Sequence, residues 1–361
     1  MSRNRQLYNT LSLMKGIVPS SGFHFSSGNS GENYIKQLQR VQSVTDDWSV
    51  ERTPINQLGE LGEIDRIITT PPTVNFSFDY FVADVSNERK MGFDISGTQS
   101  AIRLILNGTE DDSNFFVPVA PEGVDVRGYT GISQVYQLTN SYISSYSVQG
   151  QVGSPVTATA NYQSLNWATS TGSINVPLRA INPTGGQLVQ GINYTIPVGV
   201  SGLSNTVPAL RPEGISVDIG NGALGLSISD LKIQSFTFGF EIPRIDLTKL
   251  GSFFPYSKQI NFPSSASASV TAYVGDLTES YLSSLLCDDP SYDITITLRD
   301  PSCSGLGADA VKYILKKAKL DSQSFSDQSV GAQAAQVTLN YSVQLTASQT
   351  DRGAFISGSR F

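Results

Sequence analysis

One segment of this chain occurs twice, so any fold that accounts for one copy must accommodate both. The stretch from Val41 to Val85 lies over Ile233 to Leu277 without a gap, each residue 192 positions from its counterpart. The identities are Gln42/Gln234, Ser43/Ser235, Thr45/Thr237, Arg52/Arg244, Leu58/Leu250, Gly59/Gly251, Ile68/Ile260, Pro71/Pro263, Ser77/Ser269, Val82/Val274 and Asp84/Asp276. Most other pairs keep their apolar or polar character. A second block, Tyr136 to Tyr162, matches Tyr313 to Tyr341 with an offset that drifts from 177 to 179, as unequal loops between kept strands would produce. The blocks run in the same order in both halves. A period this long is a duplicated domain and not a solenoid repeat. An enzyme seldom needs its scaffold twice in tandem, whereas a ring-building particle often does.

The repeated segments alternate with period two, the mark of strands with one dry and one wet face. In the second copy Phe236, Phe238, Phe240 and Ile242 oppose Ser235, Thr237, Gly239 and Glu241. Ala266 to Val274 alternates apolar residues with Ser265, Ser267, Ser269 and Thr271, and Val337 to Leu345 alternates them with Thr338, Asn340 and Ser342. The first copy follows suit, with Ser43, Thr45, Asp47 and Ser49 on one strand and Thr73, Asn75, Ser77 and Asp79 on another. Such alternation predicts antiparallel sheets. The fold class expected is all-β, with one or two short helices, as two tandem copies of an antiparallel β-sandwich or half-barrel. The wet faces carry almost no Lys, the residue that usually guards open strand edges. Edges without it are suited to pairing with neighbours.

The expected organisation is a mobile segment over 1–33, a first unit over 34–167, a linker over 168–212, a second unit over 213–347 and a tail over 348–361. Two units of that size each have enough chain to bury a core. Between the first two strands of each copy lies an arm, Thr53 to Pro72 and Ile245 to Ser264, with a Leu-Gly step and a closing Pro. Loops that long inside a compact domain tend to be functional. With Phe253, Phe254 and Tyr256 in the second arm, these elements are expected to reach across an interface. Arg52 and Arg244 at the arm bases have two readings: carbonyl ligands at a strand end, or intersubunit ion pairs with an acidic residue such as Asp246 or Glu60. Helices are expected from Asp276 through the sequence DLTESYLSSLL, and after Gly307 in GADAVKYILKKA.

The net charge of −7 disfavours a protein that binds nucleic acid by neutralising phosphates. Charged residues make up 15% of the chain, and hydroxyl and amide side chains supply the polar surface instead. Cys287 and Cys303 are too few for a disulfide framework, lack a zinc spacing and are read as reduced thiols. No long apolar run or signal-peptide core is present, which leads to an expectation of cytoplasmic synthesis, no membrane and coincidental Asn-x-Ser/Thr matches at Asn75, Asn107, Asn193 and Asn340.

Catalytic chemistry finds little support. His24, the single histidine, lies in a Gly/Ser-rich segment, so neither a Ser-His-Asp nor a Cys-His arrangement can be assembled. Asp111-Asp112 and Asp288-Asp289 read as turn residues, GNGALG from Gly220 lacks a phosphate-loop Lys, and Lys316 to Lys319 reads as a solvated helix end. No catalytic residue, metal site or cofactor is assigned.

The stretch from Ile233 to Leu277, with its strand ending in Arg244, its Leu250-Gly251 arm and its Pro263, resembles the tail-tube (major tail) proteins of long-tailed bacteriophages. Tyr313 to Tyr341 is similar to that family's final hairpin. The resemblance covers about two thirds of the chain, in both halves. It departs from the usual one-domain subunit of hexameric rings, and is more similar to duplicated-domain tube proteins that form trimers with pseudo-sixfold symmetry. The resemblance implies a structural virion protein whose stacked rings conduct DNA. Its partners would be itself, the tape-measure protein and viral DNA in the lumen without specific binding, and the tail terminator and baseplate proteins. Assembly would take place in the host cytoplasm.

Under that reading the lumen would be lined by Ser43, Thr45, Asp47, Ser49, Thr73, Asn75, Ser77, Asp79, Ser235, Thr237, Glu241, Ser265, Ser267, Ser269, Thr271, Thr338, Asn340 and Ser342. The subunit and ring interface would use Arg52, Leu58, Gly59, Arg244, Leu250, Gly251, Phe253, Phe254 and Tyr256. Alternatives from other classes are a distal-tail or baseplate hub ring, and a β-sandwich module that binds a receptor or carbohydrate. The first copy is the more acidic: residues 41–93 hold nine acidic and four basic residues, 233–285 four and three.

Overall fold

The computed structural model describes residues 12–17, 35–108, 112–126, 129, 131–132, 134–171, 174–182, 187–188, 193–197, 210–220, 231–273, 290–300, 307–326, 336–346 and 350–358. The helix expected from Asp276, both cysteines, His24, Asp111, Asp288-Asp289 and most of GNGALG lie outside the described residues.

The first copy contributes β1 (Met14–Ile17), β2 (Ile35–Gln37), β3 (Val41–Ser49), β4 (Arg52–Asn56), β5 (Glu63–Ile68), β6 (Thr73–Phe81), α1 (Ser86–Lys90), α2 (Arg103–Leu106), β7 (Asp112–Val119), β8 (Gln134–Gln151) and β9 (Thr157–Thr171). Four short strands follow: β10 (Asn175–Pro177), β11 (Ile181–Asn182), β12 (Gln187–Leu188) and β13 (Asn193–Thr195). The second copy adds β14 (Ile215–Ile219), β15 (Lys232–Glu241), β16 (Arg244–Leu247), β17 (Ser257–Ile260), β18 (Ser264–Tyr273), β19 (Tyr292–Arg299), β20 (Asp309–Ser326), β21 (Gln336–Leu345) and β22 (Gly353–Gly358). The chain is thus nearly all β, antiparallel throughout its named pairings, with two short helices between β6 and β7 that the sequence pattern did not announce.

The duplication extends to irregularities. The β3–β6 ladder skips Gln42 and the β15–β18 ladder skips Gln234, its equivalent, and each glutamine donates to the carbonyl two residues back, Arg40 and Lys232, at 3.0 Å. The β8–β9 ladder skips Ser144 and the β20–β21 ladder skips Asp321. Asn140 and Lys317 both take a left-handed conformation, φ 48° and 53°. A bulge re-aims a strand and raises its local twist. Matched bulges therefore mean that both copies bend their sheets at the same rungs.

The two copies fuse into one body. β15 pairs with β8, from Ser235 opposite Gln151 to Glu241 opposite Ser145. One apolar core runs through both, with Phe76, Phe78, Tyr80, Phe115 and Tyr146 from the first and Phe238, Phe240, Tyr313 and Tyr341 from the second. Phe240 meets Phe93 edge-on at 5.3 Å and tilts against Tyr146 at the same distance, which ties the halves by aromatic packing.

Three expectations are corrected. The segment after Gly307 is strand β20 and not a helix: Val311, Tyr313 and Leu315 are buried at period two, and β19 and β22 supply partners on both sides. Lys316 and Lys317 are accordingly strand residues, one over the Phe355 ring at 4.2 Å and the other paired with Asp351 at 2.6 Å. The tail is a strand in its middle, because Ala354, Phe355 and Ile356 bury against β20. Met14–Ile17, within the segment expected to be mobile, is held between β7 and β2.

Candidate functional site

The candidate site is a polar sheet face and its two ends. Eight strands lie side by side in the order β3, β6, β9, β8, β15, β18, β21, β20, four from each copy in the same sequence. Because register is kept, every residue expected to line a lumen falls on one face. Ser43 stands opposite Asp79 and Asp79 opposite Thr159, while Ser269 stands opposite both Thr237 and Asn340. Sequence reasoning read Thr157, Thr159 and Asn161 of β9 as the polar side of an alternating strand, but missed that β8 and β20 complete this face with Ser145, Ser147, Gln149, Ser322 and Ser324. The signal was present in the matched serines of the second repeat block, 145 with 322 and 147 with 324.

Side chains on this face bond to one another across the ladders. Ser49 and Thr73 share a hydroxyl contact of 2.6 Å, Ser43 and Thr159 donate to Asp79 at 2.7 and 2.6 Å, and Thr271 meets Thr338 at 3.1 Å. Asn161 donates to Ser145 and Asn340 to Ser322, both at 2.8 Å, another feature kept in duplicate. Neutral donors are thus engaged locally, and the charges among the paired rungs are the carboxylates Asp47, Asp79 and Glu241 with two lysines at ladder ends, Lys232 opposite Tyr273 and Lys319 opposite Ser342. A polyanion moving over such a surface meets few cations to hold it.

The two arms are hairpins, β4 with β5 and β16 with β17, and not irregular loops. Gly59 and Gly251 turn at φ 96° and 81°, which explains the shared Leu-Gly step, since side chains rarely tolerate that conformation. Leu58 and Leu250 are fully exposed beside them. The second arm folds back on the first copy. Arg244 donates to the Ile143 carbonyl at 3.1 Å and lies 5.3 Å from the Tyr142 ring centre. Lys258 is buried, pairs with Asp246 at 2.6 Å and reaches Gln163 at 3.4 Å. Phe254 packs on Tyr142, Leu165 and Ile181. Arg244 therefore bonds a strand carbonyl within its own chain, and Asp246 pairs with Lys258. Phe253 and Tyr256 of the same arm remain exposed.

Among the described residues the first arm makes no such contacts. All of β4 and β5 is exposed, including Arg52, Ile55, Ile64, Ile67 and Ile68, and Arg66 pairs only with Glu63 of its own hairpin. Among the described strands β3 has one neighbour, β6, and the Lys319–Ser326 part of β20 has one, β21. Trp48 is 59% exposed where its equivalent Phe240 is 2% exposed. Phe325 on β20 is exposed as well, whereas its equivalent Val148 is buried.

A buried polar knot joins the copies. Glu88 of α1 accepts hydroxyl bonds from Tyr80, Tyr146 and Tyr313 at 2.7, 2.8 and 3.2 Å. Loss of solvent raises the Glu88 carboxyl above its ordinary value, although the three hydroxyls oppose the shift. The same burial drives all three tyrosines well above theirs. Sealed from water, this group links sheet layers and offers no surface to a substrate. The cleft at the β8–β15–β14 junction, about 430 Å³, is lined by residues including Val152, Ile215, Leu231 and Phe236, with Lys232 its one charged residue. Among the described residues no three His, Cys, Asp or Glu converge as metal ligands, and no helix is long and apolar enough to cross a membrane.

No protein-family model matches this chain, and no curated protein matches it. Among solved structures, a chain of the anti-feeding prophage baseplate, a sixfold-symmetrised cryo-EM structure, is similar with a TM-score of 0.31 and 10% identity, over 47% of this chain and 98% of that one.

Proposed function

We propose that this chain is a structural virion protein that polymerises into stacked trimeric, pseudo-hexameric rings, which form the tube of a long phage tail and conduct DNA. The observation that carries the reading is the eight-stranded sheet, whose second set of four strands repeats the first, joins it edge to edge, and at its two ends leaves equivalent edges without a partner among the described strands. A module that already adds to itself once within a chain has the geometry to add again between chains, and closure of such a ring leaves no strand edge exposed. The hydroxyl and carboxylate face is then the surface toward DNA, and the exposed Leu58 and Leu250 arms are suited to contacts between rings. No catalytic role is proposed.

Negative-stain imaging of the purified chain tests this. Hollow tubes or rings of threefold symmetry are the expected result. Closed single rings that never stack would identify a single-ring virion part instead, and a persistent monomer that binds glycans would refute both.

A further inference from the structure

The open edges carry a register and a charge code. At the junction inside the chain, β15 meets β8 with Glu241 opposite Ser145, the Ile242 amide donates to the Ser144 carbonyl at 2.7 Å, and Arg244 reaches Ile143 one residue further. β3 is the equivalent of β15, and the Lys319–Ser326 part of β20 is the equivalent of the paired end of β8, down to the bulge at Asp321 in place of Ser144. Transferring the junction through the two offsets sets Ser49 opposite Ser322, and brings the Val50 amide and Arg52 to the bulge at Asp321.

What stands at those positions differs in charge. The first-copy edge carries Asp46, Asp47, Glu51 and Arg52 where the second carries Phe238, Gly239, Pro243 and Arg244. The receiving strand carries Lys319 and Asp321 where β8 carries Tyr142 and Ser144. Lys319 cannot receive a stacked arginine as Tyr142 does, but it suits Glu51. Arg52 and Asp321 are exposed, and neither has an ion-pair partner among the described residues. Two β3 edges placed together would instead oppose clustered carboxylates.

We propose that β3 of one chain pairs antiparallel with the Lys319–Ser326 edge of β20 in a second copy of the chain, Ser49 opposite Ser322, and that an Arg52–Asp321 ion pair makes the contact specific to unlike edges. The proposal deepens the ring reading and rests on it. It also gives Glu51, one of the carboxylates that the second copy lacks, a cation in Lys319 of the next subunit. Asp47 replaces Gly239, whose missing side chain leaves room for the Tyr146 carbonyl, so the strands stand somewhat wider at that rung than inside the chain. Strand addition of this kind draws affinity from backbone bonds and selectivity from side chains.

Two measurements test it. Oxidation of assembled chains carrying both Ser49→Cys and Ser322→Cys gives covalent dimers and trimers on a reducing-agent-free gel, while the off-register pair Ser49→Cys with Ser324→Cys and the wild-type chain do not. Arg52→Glu weakens association by at least about tenfold in sedimentation, Asp321→Arg does the same, and the double variant recovers most of it, as a coupled charge pair should. Rings that form with cross-links only at another register, or additive effects of the two charge reversals, would overturn the pairing and leave the tube reading standing. A wild-type chain that stays monomeric at every concentration would overturn both.

Discussion

The two copies of the repeated segment fold alike and live in different surroundings. β15 and its arm sit mid-molecule, where Phe238 and Phe240 are buried, Arg244 is bonded to Ile143, and Lys258 is buried and paired with Asp246. β3 and its arm have the same backbone, the same bulge and the same left-handed glycine, but Trp48, Arg52 and Ile67 stand in solvent. Backbone form is therefore set locally by the repeat, and burial by what lies next to it. The exposed copy resembles a junction waiting for the partner that the enclosed copy already has.

Substitutions at equivalent positions can break that comparison. Phe240→Ala should cost the isolated chain about 3–5 kcal/mol in denaturant unfolding, the range for emptying a packed aromatic site. Trp48→Ala should change the same measurement by less than about 0.5 kcal/mol and appear as weaker assembly. Equal costs at the two sites would show that β3 is covered within the chain.

Arg244→Glu should destabilise the isolated chain by about 1–3 kcal/mol, because the Ile143 carbonyl loses its donor and a carboxylate replaces it. Arg52→Glu should leave stability within about 0.5 kcal/mol and act on association alone. Smaller effects are expected within the arms. Gly251→Ala and Gly59→Ala should each cost about 1 kcal/mol through their left-handed backbone, and near-equality of the two would confirm that the turn is an intrinsic property of the hairpin.

Glu88 has a serine, Ser280, at its position in the second copy, and its effect is a slope with pH. Its folded-state pKa is raised, so the folded chain holds a proton that the unfolded chain releases first. Stability should fall as pH rises from the ordinary carboxylate value of 4.5 toward the raised one. Glu88→Gln should flatten that decline in thermal unfolding scans from pH 5 to 8, and an unchanged slope would place the titrating group elsewhere.

Much of the sheet was legible because its signal is local. Alternation identified β3, β6, β9, β15, β18 and β21, and the constant offset predicted matching ladders. The segment from Ala308 misled because Val311, Leu315 and Ala318 also fit a helical stripe, and only the neighbours β19 and β22 decide between the two periods. The strand Gly353–Gly358 is short and flanked by Gly and Ser, so nothing in its own residues marks it until β20 offers an edge. The arms read as loops because each hairpin is mostly exposed and has little hydrophobic periodicity.

Period two places the polar residues of the candidate face on one side of the strands, since it fixes which residues point together once register is kept. The extent of the face was not legible, because which strand lies beside which is a non-local fact. The role of Arg244 shows the same division. Its place at a strand end is written in the repeat, while the Ile143 carbonyl it serves is 101 residues away.

By itself the sequence determined that two equivalent antiparallel units exist, which face of each is polar, and where their arms branch, because duplication and period-two patterning act through neighbouring residues. Only the tertiary structure decided that the units share one sheet and one core, and that the β15 edge is closed while the outer β3 edge has no partner among the described strands. Strand adjacency and burial depend on contacts between distant segments, and similar local sequences do not show which copy is enclosed and which lies at the edge.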